Sequence, residues 1–544
     1  MVHDEPKMEE LSGRGISSGL GLGKAFAYQD ILQRDLENYD IEPEQIEAEY
    51  TRLQNAIRVV QRDLESASEA VAGSGNAELS GIFQAHQMML ADPVIQDDIK
   101  KELESELINA EQVVKHVFRK WQRKLRSSNA ETPGRPGDDV ADIGRRLLRH
   151  LAGLQAHVLE DLPEGSVVIA KRLLPSDTVF LSRQATEAVV LEFAGPLSHA
   201  ALLTRELGVP AVSEIPQVLD RIATGDTLLV DGQAGLVVVH PTPLTLAAFR
   251  ERLARQNADR YSDRETCHDP ARSTDGIEYE VMANVSCRED VMHALENGAD
   301  GVGLYRVEGI YLARHIPPTE DELIQHLRES LKSMADKPIT VRLLDAGGDK
   351  ELPFLNLPTE PNPFLGLRGI RLLLAYPELL DTQLRALLRL SADFPIRILV
   401  PMVTLSEEMI SVREKLQALA DEAGHPVPPL GAMIETPAAA LCAADIANQS
   451  DFLSIGTNDL TQYTMVAGRE NPTVSKYFVD DHPAIRQLIK LTAESAVDIA
   501  VSICGELASR QEGLLIAAEN KIRSLSVAPP LIPEVKAMIR ALPA

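Results

Sequence analysis

Ile46, Tyr50, Leu53, Ile57, Val60 and Leu64 recur at alternating steps of four and three residues. That spacing lines one face of a long amphipathic helix. Helical periodicity continues over residues 78–126, SSNAETPGRPGD (127–138) reads as a loop, and helix resumes in DVADIGRRLLRHLAGL. Ahead of this block, residues 13–30 form a glycine-broken strand candidate. From about residue 165 the runs shorten to SVVIAKRL, EAVVLEF, PAVSEI and DTLLVDG, with VFLSR and HAALLTREL between them. Such alternation predicts a compact α/β unit, completed by residues 13–30, into which the helical block is inserted. A helix over 244–262 and the polar stretch RETCHDPARSTDG then form a linker.

Beyond residue 277 lie eight strand candidates: EYEVMANV, GVGLYR, ITVRLLDA, IRILVPM, LGAMIE, FLSIGT, IAVSIC and IRSLSVA. Helical patterns mostly separate them. Eight strands alternating with helices predict a (β/α)8 barrel, so the chain is read as a multidomain α/β protein. Barrels of this kind place their chemistry at the C-terminal ends of the strands.

Those ends carry Arg306, Arg342, Glu435, Asn458, Asp459 and Cys504, with Arg469 in the following loop VAGRE. Two carboxylates on successive strands, Glu435 and Asp459, suit Mg2+ with room for water and substrate oxygens. The arginines offer planar forks for carboxylate or phosphate oxygens. Cys504 is a candidate proton donor if its thiol stays protonated. Taken singly, each has a plainer reading: a structural arginine, a capping or ion-paired carboxylate, a small buried cysteine. Their convergence on one rim is what points to a site.

In the α/β unit, EFAGPLSHAALLTRELGVPAV places His199 after a Gly-Pro loop at the start of a helix pattern. Oriented N–H groups there would stabilise a phosphate on its ring. On position alone, a first-turn histidine with no role is the better reading.

Composition narrows the partners. With 54 Lys and Arg against 81 Asp and Glu the net charge is -27, which disfavours nucleic acid and would steer a basic protein partner inward. Four cysteines without a C-x-x-C pair argue against disulfides or a zinc site. The charged start MVHDEPKMEELSG carries no apolar leader and no run approaches a membrane span, so a cytoplasmic protein without membrane insertion is expected.

The runs GVGLYR, GGDKELP, NPFLGLRGIR, ETPAAA, SIGTNDLTQYT and CGELA, in this order over nearly the whole chain, resemble Enzyme I of the bacterial phosphoenolpyruvate-dependent sugar phosphotransferase system. LLPSDT followed by LSHAALLTREL is similar to its phosphohistidine region, and IFQAHQMMLADP to its carrier-docking segment. The resemblance implies a phosphohistidine domain from residues 1–30 and 155–243, and an inserted helical domain (31–154) that binds the carrier HPr. A linker and hinge (244–276) and the phosphoenolpyruvate-binding barrel (277–544) complete it. It implies His199 as the phosphorylated residue, with Thr178 and Ser198 beside it. Arg306, Arg342, Arg368, Asn458, Asp459 and Arg469 would hold phosphoenolpyruvate, Glu435 and Asp459 would bind Mg2+, and Cys504 would protonate the enolpyruvate. A homodimer through the barrel is also implied.

Around the histidine the family reads Gly-Gly-Arg-Thr-Ser-His, whereas this chain reads Ala194-Gly195-Pro196-Leu197-Ser198-His199. Tyr305-Arg306-Val307-Glu308 replaces a YRTE motif, and the chain ends at MIRALPA, where relatives carry further helix. The altered loop motivates an alternative, a degenerate or nitrogen-type regulatory Enzyme I. A relative of the phosphoenolpyruvate synthases or dikinases lacking its nucleotide domain is the remoter one.

Overall fold

The structure, a computed structural model, describes residues 7–28, 39–73, 86–128, 135–153, 159, 162–173, 177, 186–193, 201, 204, 208–312, 314, 316–348, 352–355, 357–358, 360–468, 471 and 474–543. Two compact units divide near residue 257, inside a helix that runs Pro243–Glu265.

In the first unit the inserted helices are Ile46–Gly73, Pro93–Glu106, Ala110–Ser128 and Arg135–Leu151. Their apolar stripes meet in one core, where Leu53, Ile57, Val60 and Leu64 pack with Val113, Val117, Ile143 and Leu147. The stripe read from the spacing is the stripe that is buried, with Ile46 and Tyr50 at its margin. Of the loop expected over 127–138, residues 127–128 end one helix and residues 135–138 open the next, while 129–134 lie outside the described residues. Pro136 is tolerated in a first turn, where a missing N–H breaks no helical bond.

The α/β part pairs eight strands: β1 (Glu9–Ser12), β2 (Arg14–Ser17), β3 (Leu20–Tyr28), β4 (Ser166–Ala170), β5 (Thr186–Leu191), β6 (Ala211–Ser213), β7 (Thr227–Asp231) and β8 (Leu236–Val239). Their spatial order is β1-β8-β7-β3-β4-β5-β6-β2. The outer strands β1 and β2 are separated in sequence only by Gly13, so the sheet has to curl back on itself. Both faces are buried: Val167, Ile169, Ala188 and Val190 enter one core, and Val168, Ala170, Val189 and Leu191 the other. Full burial explains why these strands read as continuous apolar runs rather than alternating ones. The single strand candidate over 13–30 is two strands, broken at Ser18 and Gly19, and β8 was not anticipated.

The second unit opens with a two-residue strand, β9 (Ala271–Arg272), within the polar stretch expected to be linker; it pairs antiparallel with the first barrel strand. The barrel strands are β10 (Glu278–Val285), β11 (Val302–Arg306), β12 (Ile339–Arg342), β13 (Ile396–Val400), β14 (Leu430–Ile434), β15 (Phe452–Gly456), β16 (Ala500–Cys504) and β17 (Ser524–Val527). Each pairs in parallel with the next, and β10 pairs with both β11 and β17, which closes an eight-stranded parallel barrel. All eight coincide with the runs read from the sequence. Leu304, Leu399, Met433, Phe452 and Cys504 fill the interior as a separate small cluster. A larger shell of Leu, Ile and Val lies between strands and helices.

At the N-terminal end of the barrel, buried Lys536 of the last helix donates to the Gly298 carbonyl (2.6 Å) and to Asp300 (3.0 Å). This joins the end of the chain to the loop before β11. Among the described residues no helix is long and apolar enough to cross a membrane.

Candidate active site at the barrel mouth

Strand register sets the site. Arg306 ends β11 directly opposite Arg342, the last residue of β12, so two guanidinium-bearing residues share one edge of the mouth. Like charges side by side require counter-charge, and the protein supplies it from just beyond the two strands, from Glu308 at the start of the helix Glu308–Leu312 and from Asp345 in the loop after β12. Nη2 of Arg342 donates to Oε1 of Glu308 at 2.7 Å, and Nη1 lies 3.5 Å from Oδ2 of Asp345. Burial works against the charge on Arg342, but Glu308, Asp345 and Glu435 more than offset it and raise its pKa. Nε of Arg342 is buried and has no hydrogen-bond partner among the described residues. A buried guanidinium N–H without an acceptor is costly, and it marks a place for a ligand oxygen.

Arg368 follows the turn Pro363–Leu365. It forks onto Asp345 through Nε and Nη2, both at 3.0 Å, and reaches Asp459 through Nη1 at 2.9 Å. The loop carrying Asp345 turns at Gly347, with φ +97, where any Cβ would lie 2.2 Å from the Leu367 carbonyl oxygen. Glycine at this position lets the Asp345 and Arg368 backbones meet.

Glu435 follows β14 and is fully buried, accepting from the Met402 backbone N–H at 2.7 Å. Met402 has φ 56, a left-handed conformation costly for a residue with a side chain, and it aims this N–H at the carboxylate. Gly456 makes room on the other side, since a Cβ there would sit 2.7 Å from Oε2 of Glu435. Burial, and then repulsion from Asp459 and Asp345, pushes Glu435 up to about 8 against the pull of Arg342 and Arg368.

A divalent cation fits this donor set. Two mutually repelling carboxylates, Glu435 and Asp459, stand where added positive charge relieves both. Mg2+ is held in this way, by one or two carboxylates completed by water and substrate phosphate. Among the described residues no group of three or more ligating side chains forms an all-protein metal cage.

Asn458 lies in the first turn of the helix Thr457–Met465 and accepts at Oδ1 from the Glu506 N–H at 3.1 Å. Cys504 ends β16 beside Gly456. Its thiol accepts from the Ser454 hydroxyl (3.6 Å) and donates to the Ile455 carbonyl (3.5 Å). Burial raises its pKa to about 11, only partly countered by Ser454, so it keeps its proton at neutral pH. Arg306, Arg342 and Glu435 all bear electrostatically on this thiol.

The strand-end residues Arg306, Arg342, Glu435, Asn458, Asp459 and Cys504 thus share one mouth, with Arg368 among them. Arg469, Thr178, Ser198 and His199 lie outside the described residues. Residue-by-residue reading missed Glu308 and Asp345. The available signal was a carboxylate within three residues of a strand-end arginine, in Arg306-Val307-Glu308 and Arg342-Leu343-Leu344-Asp345.

Fold and mouth together define a (β/α)8 enzyme that takes a small polyanion at the C-terminal rim. Residues 261–543 match the family described as PEP-utilising enzyme, PEP-binding domain. Residues 12–132 match its N-terminal part, and residues 162–235 its mobile domain. The chain belongs to this family, the phosphoenolpyruvate-utilising enzymes, and within it to the group of the phosphoenolpyruvate-protein phosphotransferases.

Relatives carrying that name include a protein of Geobacillus stearothermophilus, 36% identical over 92% of this chain and 87% of the relative. A Priestia megaterium protein is 34% identical over 98% and 94%, and one of Bacillus subtilis (strain 168) is 35% identical over 92% and 89%. A solution structure described as Enzyme I (nEIt) covers 45% of this chain and 99% of its own, at 30% identity and a TM-score of 0.38.

Proposed function

We propose that this chain takes the phosphoryl group of phosphoenolpyruvate onto His199 and passes it to the small carrier protein HPr, the first step of a sugar phosphotransferase system. The observation that carries this reading is the barrel mouth. Buried arginines, a pair of repelling carboxylates and a protonated thiol meet there, and an enol phosphate that must lose phosphate and gain a proton needs all three.

In this reading Arg306, Arg342, Asn458 and Arg469 orient the phosphate and carboxylate of the substrate, with Arg368 beside them. Glu435 and Asp459 hold Mg2+, which when bound neutralises phosphate charge. The phosphorus–oxygen bond to the enol breaks as a ring nitrogen of neutral His199 attacks in line. Such transfers depend on positioning and charge stabilisation more than on covalent help. The enolate then takes the proton of Cys504 at its terminal carbon, giving pyruvate, and solvent restores the thiol. Thr178 and Ser198 are the hydroxyl neighbours of His199. The helical block docks HPr, the 244–276 linker is the hinge between the two stations, and residues 277–544 bind the substrate.

In this reading the reaction runs in the cytoplasm, a compartment that suits four unpaired thiols. A homodimer through the barrel is in keeping with the exposed Leu405 and Leu441 on that unit, and light scattering reads it directly.

Incubation with phosphorus-labelled phosphoenolpyruvate and Mg2+, followed by peptide mapping under conditions that preserve phosphohistidine, tests the reading. Label on the His199 peptide that discharges on adding HPr is expected. A protein that binds the substrate but never acquires label is instead the degenerate, regulatory form.

A further inference from the structure

Arg368 is heavily committed at the mouth. A guanidinium carries five N–H groups. Two of those on Arg368 go to Asp345, at 3.0 Å each, one to Asp459 at 2.9 Å and one to the Tyr463 hydroxyl at 3.1 Å. These four bonds leave one N–H for anything else. Tyr463 in turn donates to the Phe364 carbonyl at 2.6 Å, and the Phe364 ring lies 5.7 Å from the guanidinium carbon. Arg368 is therefore fixed from three directions: the loop after β12, the helix after β15, and the turn Pro363–Leu365.

The atom this arrangement holds in place is Oδ1 of Asp459. A carboxylate next to a guanidinium can swing about its last torsion unless the guanidinium is itself anchored. Asp345 supplies the anchor with a two-bond fork, which sets the plane of Arg368. Tyr463 supplies the second restraint on the nitrogen that touches Asp459, and ties it to the rim backbone.

We propose that Asp345 and Tyr463 are positioning residues that hold Arg368 against Asp459, and thereby fix the orientation of a carboxylate that binds the divalent cation. The inference rests on the cation reading of Glu435 and Asp459 given above. Groups that orient metal ligands without touching the metal typically govern about 10- to 100-fold in affinity. Tyr463 donates to the backbone and accepts one charge-assisted bond, so its loss belongs near the lower end. Asp345 carries the fork, so its loss belongs near the upper end.

Manganese binding to the full-length protein, followed by electron paramagnetic resonance of free Mn2+ without phosphoenolpyruvate, tests this. Tyr463→Phe removes one oxygen and keeps the ring. It is expected to raise the Mn2+ Kd about tenfold while leaving the thermal unfolding midpoint near the parent's. Raising Mn2+ is expected to restore its kcat, which loss of fold would not allow. Asp345→Asn is expected to weaken binding further; if that variant does not fold, Tyr463→Phe alone decides. Glu435→Gln is the control. If it binds Mn2+ as the parent does, the cation reading falls, and this inference with it. If Glu435→Gln loses the ion while Tyr463→Phe matches the parent Kd, the positioning role alone is overturned.

Discussion

Nη2 of Arg342 donates to Oε1 of Glu308 across 2.7 Å, with both side chains almost wholly buried. The same carboxylate oxygen accepts the backbone N–H of Asp345 at 3.1 Å. One oxygen thus binds the end of one strand to the loop that follows it, on the edge of the mouth where Arg306 and Arg342 lie side by side.

Glu308→Ala should therefore act on stability and on binding together. Leaving a buried guanidinium without its main partner costs about 3–5 kcal/mol. Chemical denaturation should show that loss, and the KM for phosphoenolpyruvate should rise about tenfold as Arg342 loses its orientation. Glu308→Gln keeps an acceptor in place and should lose less of both. An unchanged KM in a destabilised Glu308→Ala protein would remove Arg342 from the substrate site.

Cys504 has a different signature. If it is the proton donor proposed above, its replacement by alanine should slow pyruvate formation about 10²- to 10⁴-fold, with Glu435 and Asp459 untouched. Its pKa also predicts a pH effect with a definite sign. The folded thiol keeps its proton up to about 11, against an ordinary value of 9.0. The group thus favours the folded state fully below about pH 9, and this contribution is lost as pH rises towards about 11. Urea midpoints of parent and Cys504→Ala proteins should be parallel at neutral pH, and should converge or cross only above that lower value. Divergence near neutrality would mean that the thiol is already ionised.

The opposite end of the barrel offers a control in which stability and catalysis separate. Lys536 is buried and leans on Asp300 and the Gly298 carbonyl. Asp300→Ala leaves that ammonium with one neutral acceptor and should cost about 3 kcal/mol. Because Asp300 precedes β11, at the end of the barrel away from the mouth, KM and kcat should stay near parent values below the lowered melting range. A large rise in KM with an unchanged Tm would contradict this division of roles.

Much of this fold was legible in the sequence. The eight barrel strands stand out because buried parallel strands read as short apolar runs, two of which end on an arginine, Arg306 and Arg342. The helical stripe from Ile46 to Leu64 was equally plain, because 3.6-residue periodicity survives across several turns. Strand β8 was not, since its four-residue LVVV run follows β7 after only four residues and is too short to carry a period of its own. Strand β9 is two residues long and owes its pairing to β10 rather than to any local preference.

At the site, residue types at strand ends marked the mouth, and resemblance added Arg368. The partners of those residues were not legible. Glu308 and Asp345 act through neighbours brought together by barrel closure, and the Met402 N–H acts through backbone geometry that side-chain reading does not see.

The central claim is that phosphoryl flow passes through one imidazole, and replacing it is the most direct test. His199→Ala, incubated with labelled phosphoenolpyruvate, Mg2+ and HPr, should still bind substrate at the barrel but leave HPr unlabelled. Labelling of HPr by His199→Ala at the parent rate would contradict the account, since the barrel site would then reach the carrier by another route.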